Sequence, residues 1–517
     1  MKLEYVSIGH FKNLRDFSVH FDTNALTTVI LGRNGTGKSN LLEALIIIFR
    51  DLDLGKPPLF RYQLSYICRQ YEVFVDADPD RLRQEQVHIK VDGIELSYRA
   101  FVQESERRYL PSYVFGYYSG PSNRMEEHFE EHQTRFYRDL LKGKDSPLRP
   151  LLYARLVHSQ FALLSFFNEE DEQILRFLRD QLGILRMVSV LFVMRQPPWT
   201  SKEGDPRFWN ARGVVQRFLN ELYRRALAPL RLKQRISLDF SATTTLEHLY
   251  LYLKDTDALK QVSSIYSSQQ EFFKALESTY ISKILSEVRI RIEMRNTDGS
   301  LTFRDLSEGE QQLLMVLGLL RFTKEDEALF LLDEPDTHLN PAWSINYLEF
   351  LQMVVGEQPT SQIIMSTHNP LVIASLQKSQ VQIMQRDEAT GQIVADNPAE
   401  DPQGMGVAAI LTSDLFGLRS TLDPPTQRLM DQRRELAVKD DLSAAEMHQL
   451  GDLNRQLKDL DFSITMQDPL YHDFVREMTR REDPAVRRST TLTPEQRKRQ
   501  RELTQQILRE LKAKRGY

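Results

Sequence analysis

The chain has 517 residues, 41% hydrophobic and 27% charged, and a net charge of −5 at pH 7. Its length suits about three domains of ~150 residues. Its composition excludes a wholly disordered chain, and its balance of charge excludes a wholesale polyanion binder, so any nucleic-acid surface is expected to be a local patch.

In chain order, residues 3–8 and 17–21 read as short strands, and 26–31 as a buried, nearly continuous apolar strand. A glycine-rich turn follows, then helical apolar spacing over 39–49. Further strands are expected at 73–75, 87–91 and 95–101, the last two joined by the hairpin signal Asp92-Gly93, and another at 113–118. From about 125 to 290 the pattern reads as helical, with breaks near 147–150 and 196–206. Strand character returns at 288–294, 330–332, 362–366 and 381–385, and past about 402 the chain reads as helical and highly charged. The expected plan is an α/β P-loop head in two pieces, 1–121 and 290–400, with a mixed sheet and flanking helices. A helical insertion at 122–289 separates the pieces, and a helical C-terminal region at 401–517 is a candidate partner-docking segment.

Cys68 is the one cysteine. It excludes an intramolecular disulfide, a multi-thiolate zinc site and a CxxC pair, and reads as a small core residue. The start of the chain lacks the apolar stretch of a signal peptide, and no apolar run approaches the ~20 residues that span a bilayer. A cytoplasmic protein without membrane contact is expected.

Residues 32–39, Gly-Arg-Asn-Gly-Thr-Gly-Lys-Ser, match the P-loop pattern GxxxxGK[ST] between a strand and a helix. Glycines let backbone N–H groups curl around phosphate, and the helix N-terminus adds a favourable dipole. Asn34, Gly35, Gly37, Lys38, Ser39 and Asn40 are therefore candidate nucleotide-binding residues. Lys38 is expected to reach the β- and γ-phosphates of ATP, and Ser39 to ligate Mg²⁺. Almost 300 residues later, the apolar run 328–332 ends in Asp333-Glu334-Pro335. Carboxylates at the C-terminal end of a buried strand lie where an α/β sheet places ligand chemistry. Asp333 is the second candidate Mg²⁺ residue, and Glu334 the candidate general base.

The segment 306–312, Leu-Ser-Glu-Gly-Glu-Gln-Gln, precedes helical spacing over 312–322, and Ser307 and Glu310 have the spacing of a capping box. It resembles the LSGGQ signature of ABC-type ATPases in the form found in SMC, RecF and OLD-like proteins. Phe11-Lys12-Asn13-Leu14, the run NGTGKSNLLEAL from Asn34, and residues 336–341 and 366–370 are similar to other motifs of those proteins. The resemblance covers about 1–121 and 290–396. It implies that His368 contacts the γ-phosphate, and that Ser307 and Gly309, at a helix start shaped by Glu310, contact ATP held by a second copy. It also implies a glutamine-bearing loop after the strand at 113–118, yet 117–120 holds no glutamine.

Within this class, a transporter subunit is disfavoured by the large insertion. A long coiled-coil protein is disfavoured by the absence of sustained heptads. After His368 no acidic pattern of a Toprim nuclease is found, so no nuclease site of its own is expected. Residues 117–120, 404–407 and 411–418 resemble the ATPases of Septu and retron-associated antiphage systems. That resemblance implies an ATP-dependent dimer or higher oligomer that regulates an HNH endonuclease partner. The alternative is a RecF- or SMC-like DNA clamp without a nuclease.

His128-Phe129-Glu130-Glu131-His132 spells a zinc-peptidase pattern but reads as a solvated helix face. Residues 195–235 carry ten basic and three acidic residues among Trp199, Phe208, Trp209 and Tyr223. This suits either an exposed helical face or nucleic-acid contact. The basic tail at 476–517 reads as a solvated helix or a docking segment.

Overall fold

Alternation of buried and exposed side chains shapes the first hairpin, β1 (Lys2–Phe11) and β2 (Leu14–His20), in the computed structural model of the chain. The structure describes residues 1–103, 108–168, 171–237, 243–295, 301–323, 327–355, 360–387, 389–437, 439, 441–459, 474, 477–478, 480–483, 486 and 492–515. The almost wholly buried β3 (Thr27–Gly32) leads through the glycine-rich turn into α1 (Lys38–Leu54). Then come β4 (Tyr62–Cys68), β5 (Tyr71–Ala77), β6 (Val87–Val91), β7 (Ile94–Leu96), α2 (Tyr98–Gln103) and β8 (Tyr113–Tyr118). The stretch expected as a strand at 95–101 turns helical after Leu96. The Ser97 hydroxyl accepts the Ala100 N–H at 3.2 Å, and Phe101 folds into the core.

The insertion runs through α3 (Glu130–Leu141), β9 (Leu151–Tyr153), α4 (Val157–Phe166), α5 (Glu172–Asp180), β10 (Ile184–Arg195) and α6 (Gly213–Arg225). It continues through β11 (Leu230–Ser237), β12 (Thr243–Leu253), α7 (Thr256–Ser263), α8 (Gln269–Ile281) and β13 (Leu285–Met294). The head then resumes with α9 (Glu308–Thr323), β14 (Ala328–Asp333), α10 (Pro341–Val355), β15 (Gln362–Ser366), α11 (Pro370–Ile373), β16 (Val381–Arg386) and β17 (Ile393–Asp396).

The central sheet has the order β17-β16-β3-β15-β14-β8-β9, parallel throughout except for β16–β17. A second sheet, β2-β1-β4-β5-β6-β7, is antiparallel. Between them lies α1, whose apolar residues Leu41 to Leu52 share one buried cluster with Leu3, Leu64 and Tyr66 and with Leu329, Leu331 and Ile364. That position explains why α1 is apolar nearly all round.

The insertion is helical only in part. Its β9 joins the edge of the central sheet beside β8, and its other strands form an antiparallel sheet, β11-β12-β10-β13, against which α5 to α8 pack. Val288-Arg289-Ile290-Arg291-Ile292 alternates with a period of two, and every second residue is buried. In β10, Val190, Phe192 and Met194 face the helices, but both faces are buried over residues 189–194, and that imitates a helical pattern. The basic segment 195–235 likewise holds α6 and most of β11 rather than one helical face.

The chain divides into two compact units, Met1–Asn397 and Pro398–Tyr517. The second contains α12 (Val407–Thr412), α13 (Pro424–Ala437), α14 (Ala444–Asp459) and a helix over Pro494–Arg515. There α13 packs against α14, Ser443 and Glu446 form a capping box, and Arg501 bonds Asp414 at 2.8 Å. Part of the basic tail at 476–517 lies outside the described residues. Among the described residues, no helix is long and apolar enough to cross a membrane.

Candidate nucleotide site

Three neighbouring strands of the central sheet, β3, β15 and β14, end side by side. The loop after β3 is the glycine-rich turn. Gly35 and Gly37 adopt φ of 83° and 93°, which favours glycine, and Gly37 starts α1 without a side-chain cap. A Cβ on Gly37 would meet Asn13 Oδ1 at 2.9 Å, so the glycine lets the β1–β2 turn press against the loop. The Thr36 hydroxyl donates to Arg33 O at 2.8 Å, and Lys38 Nζ donates back to Gly32 O at 2.8 Å, curling the loop on itself. Lys38 is buried. Burial lowers its pKa, and the nearby Glu334 and Asp333 oppose that shift. Asn34 and Gly35 are exposed, while Ser39 and Asn40 are half-buried on the first turn of α1.

At the end of β14, Asp333 is buried and accepts the Ser366 hydroxyl through Oδ1, while its Oδ2 has no hydrogen-bond partner. An unpaired buried carboxylate oxygen calls for a cation or a donor. Asp333 Oδ2 and the Ser39 hydroxyl fit the oxygen ligands of Mg²⁺, which uses one or two protein groups besides phosphate and water. Among the described residues there is no cluster of three or more acidic, His or Cys side chains able to cage a metal. Glu334 adopts a left-handed φ of 53°, and its N–H donates to both the carbonyl and the hydroxyl of Ser366, at 3.1 and 3.2 Å. A non-glycine residue held this way is the kind of strain found at functional sites. Its carboxylate lies 3.3 Å from His368 Nε2. Burial, then Lys38, lower the pKa of His368 despite Glu334 and Asp333, leaving a neutral imidazole at pH 7.

The expected capping box at the start of α9 forms. Glu310 Oε2 accepts the Ser307 N–H at 2.6 Å and its hydroxyl at 2.8 Å, and the Glu310 N–H donates to Ser307 Oγ at 3.3 Å. Ser307 and Glu308 are exposed, whereas Gly309 is buried, its absent Cβ leaving room for His338 O at 2.4 Å. The signature thus sits on the 336–340 turn that follows Glu334. In that turn Asp336 is buried, accepts the Thr367 hydroxyl at 2.7 Å, and has its carboxyl pushed up to about 6, chiefly by burial.

Sequence reading missed several neighbours of the site. Ser366 fixes Asp333 and Glu334 from the next strand, a contact that no local spacing announces. After β8, the Ser119 N–H donates to Asp333 O at 3.2 Å, so 119–124 occupies the place expected for the glutamine-bearing loop. The basic residue there, Arg124, bonds Asn40 and Glu43 of α1. Buried Gln312 instead donates to the Tyr117 hydroxyl at 3.0 Å. The pair His128 and His132 is not a solvated face. His132 is buried with Nε2 2.7 Å from Asp53 Oδ2, and His128 lies against Arg50 and Glu43, because the turn at Glu126–Phe129 and α3 dock on α1. Cys68 is buried, as expected. In the basic segment Trp199 and Trp209 donate to Ser282 O at 2.7 Å and Glu247 at 2.8 Å, so both indoles are anchored.

Two family models match the chain. One, described as an AAA ATPase domain, covers residues 1–148, and the AAA-domain model named for the AbiEii toxin of Type IV TA systems covers 200–374. Septu protein PtuA of Bacillus mycoides (strain KBAB4) is 28% identical over 170 residues, 31% of this chain and 23% of the relative. The "Probable peptide export ATP-binding protein YydI" of Bacillus subtilis (strain 168) is 30% identical over 94 residues, 18% of this chain and 44% of the relative. The "Retron Vc95 probable ATPase" of Vibrio cholerae serotype O1 biovar El Tor is 23% identical over 173 residues, 30% of this chain and 32% of the relative. The chain thus spans less than half the length of each of these relatives. A solved SMC head bound to the C-winged helix domain of ScpA overlaps 77% of this chain and 98% of its own at 12% identity, with a TM-score of 0.34. In its matches to two AAA-domain models and its likeness to PtuA, the chain resembles the ATPases of the AAA class and, among them, the Septu protein.

Proposed function

We propose that this chain is the ATP-hydrolysing subunit of an antiphage defence complex, in which two heads close around two Mg-ATP and thereby regulate an associated HNH endonuclease. The observation that carries the reading is the convergence of the P-loop, Asp333-Glu334 and His368 at three adjacent strand ends. The amides of Asn34, Gly35 and Gly37, with Lys38, suit the phosphates, and Ser39 and Asp333 suit Mg²⁺, which would neutralise phosphate charge. Asn40, beside Ser39, braces the loop. Glu334 is placed to accept the proton of attacking water, with His368 beside it to orient the γ-phosphate end. Exposed Ser307 and Glu308 leave the α9 N-terminus open to solvent, where its dipole and N–H groups, with Ser307, Gly309 and Glu310 shaping the helix start, suit the phosphate of ATP held by a second copy. The likeness to PtuA and to the retron ATPase supports the defence role and the nuclease partner.

The test is co-purification with an HNH endonuclease encoded beside the gene, followed by DNA cleavage with and without Mg-ATP. The nuclease is expected to co-elute, and its cleavage to respond to ATP with the wild-type chain but not with Lys38→Ala. A nuclease that neither co-elutes nor responds to ATP overturns the partnership.

A further inference from the structure

Away from the residues that suit ATP and Mg²⁺, one buried carboxylate gathers three separate parts of the chain. Glu43 sits in the second turn of α1 with its side chain 4% exposed. Lys12 Nζ, from the β1–β2 turn, donates to Oε1 at 2.5 Å, and His128 Nε2 lies 3.3 Å from the same oxygen. Arg124 donates to Oε2 through Nε at 3.1 Å and through Nη2 at 2.5 Å. Arg124 and His128 belong to the segment that leads from β8 into the insertion.

The contacts continue to the P-loop. Arg124 Nη2 also donates to Asn40 Oδ1 at 2.5 Å, Asn40 Nδ2 donates to Asn13 Oδ1 at 2.6 Å, and Asn13 Nδ2 donates to Gly35 O at 2.8 Å. An unbroken run of hydrogen bonds therefore joins the entry of the insertion to a P-loop carbonyl. The backbone at Lys12 has a φ of 54°, a tight-turn conformation in which glycine is easiest. A lysine is held there, with its ammonium on Glu43. Burial raises the Glu43 pKa, but the bonds from His128, Lys12 and Arg124 outweigh it and hold the carboxyl at about 2, ionised at physiological pH.

We propose that Glu43 is a positioning residue for ATP turnover: it fixes the β1–β2 turn and the entry of the insertion to α1, so that the shape of the P-loop and the placement of the insertion change together. The proposal rests on the ATP reading of the P-loop. A cluster serving packing alone would respond to mutation through stability. A positioning brace responds through nucleotide affinity and through communication with the insertion.

The experiment uses the full-length chain and three variants, Lys12→Gly, Glu43→Gln and Lys38→Ala. It measures melting temperature, KM and kcat for ATP, and hydrogen exchange over 122–141 with and without Mg-ATP. Lys12→Gly relaxes the turn, so its Tm is expected within about 2 °C of wild type, while KM rises about tenfold with kcat changed less. Mg-ATP is expected to protect 122–141 in wild type, and Glu43→Gln to lose that protection while still binding ATP. If wild type binds ATP and both brace variants keep wild-type KM, kcat and protection, or lose only Tm, the proposal is overturned and the ATP reading stands. If wild type binds ATP no better than Lys38→Ala, the ATP reading falls and takes the proposal with it.

Discussion

His368 Nε2 stands 3.3 Å from Glu334 Oε1, the two side chains 40% and 38% exposed at the ends of adjacent strands. Burial, then Lys38, lower the pKa of His368, so its imidazole adds no second cation beside the carboxylate to that of Lys38. Glu334→Gln is expected to lower kcat by at least about 100-fold while leaving ATP affinity within about threefold, since a positioned base contributes roughly 10²–10⁴ in rate. Single-turnover phosphate release beside equilibrium ATP binding checks this. A variant with near wild-type kcat would remove Glu334 as the base.

Lys38 donates to Gly32 O, and its charge is held at a cost from burial. In the resting chain the ammonium is a burden, and its return comes with phosphate. Lys38→Ala is therefore expected to leave thermal stability little changed while weakening ATP binding by about 100-fold, the scale of charge-assisted hydrogen bonds. Calorimetric titration with ATP, paired with a melting curve, separates the two effects. A large loss of Tm with retained affinity would contradict this reading.

The insertion has its own buried charge. Glu277, fully buried on α8, lies 2.7 Å from Arg149 Nη2 and 3.0 Å from His158 Nε2. Although burial opposes its charge, Arg149 and His158 hold the carboxyl well below the usual carboxylate range. Removing it strands a guanidinium whose Nε and Nη1 already lack hydrogen-bond partners. Glu277→Ala is expected to destabilise the chain by about 3–5 kcal/mol, read from urea unfolding. A loss below about 1 kcal/mol would mean that the pair is solvated or replaceable.

Asp336 gives a pH dependence of opposite sign to a salt-bridged carboxylate. Its carboxyl is pushed up to about 6 in the fold, against about 4 in an unfolded chain. The folded state therefore keeps a proton that the unfolded state releases. The stabilisation is complete below about pH 4 and is lost as pH rises through 6. Asp336→Asn removes this limb, so its Tm should fall less than that of wild type between pH 4.5 and 6.5. Parallel Tm–pH profiles in scanning fluorimetry would refute the assignment.

The residues most legible in the sequence are those whose chemistry is local. Gly32 to Ser39 carry their own strand–turn–helix context, Asp333-Glu334 end an apolar strand, and Ser307 caps with Glu310 three residues on. What stayed hidden depends on distant partners. Glu43 meets Arg124 across 81 residues, and Asp333 meets Ser366 across 33. His132 looked solvated within an acidic run because nothing nearby reveals that α3 lies on α1 beside Asp53. The insertion sheet reads as helix in the sequence because β10 is buried on both faces over residues 189–194, which erases the two-residue period that β13 keeps.

The closing of two heads around ATP is tested most directly by the molar mass in solution of the Glu334→Gln chain, with and without Mg-ATP. ATP is expected to double the mass, and adding Ser307→Arg to hold it at the ATP-free value. A mass indifferent to ATP, or an ATP-driven assembly that survives Ser307→Arg, would contradict the two-headed arrangement.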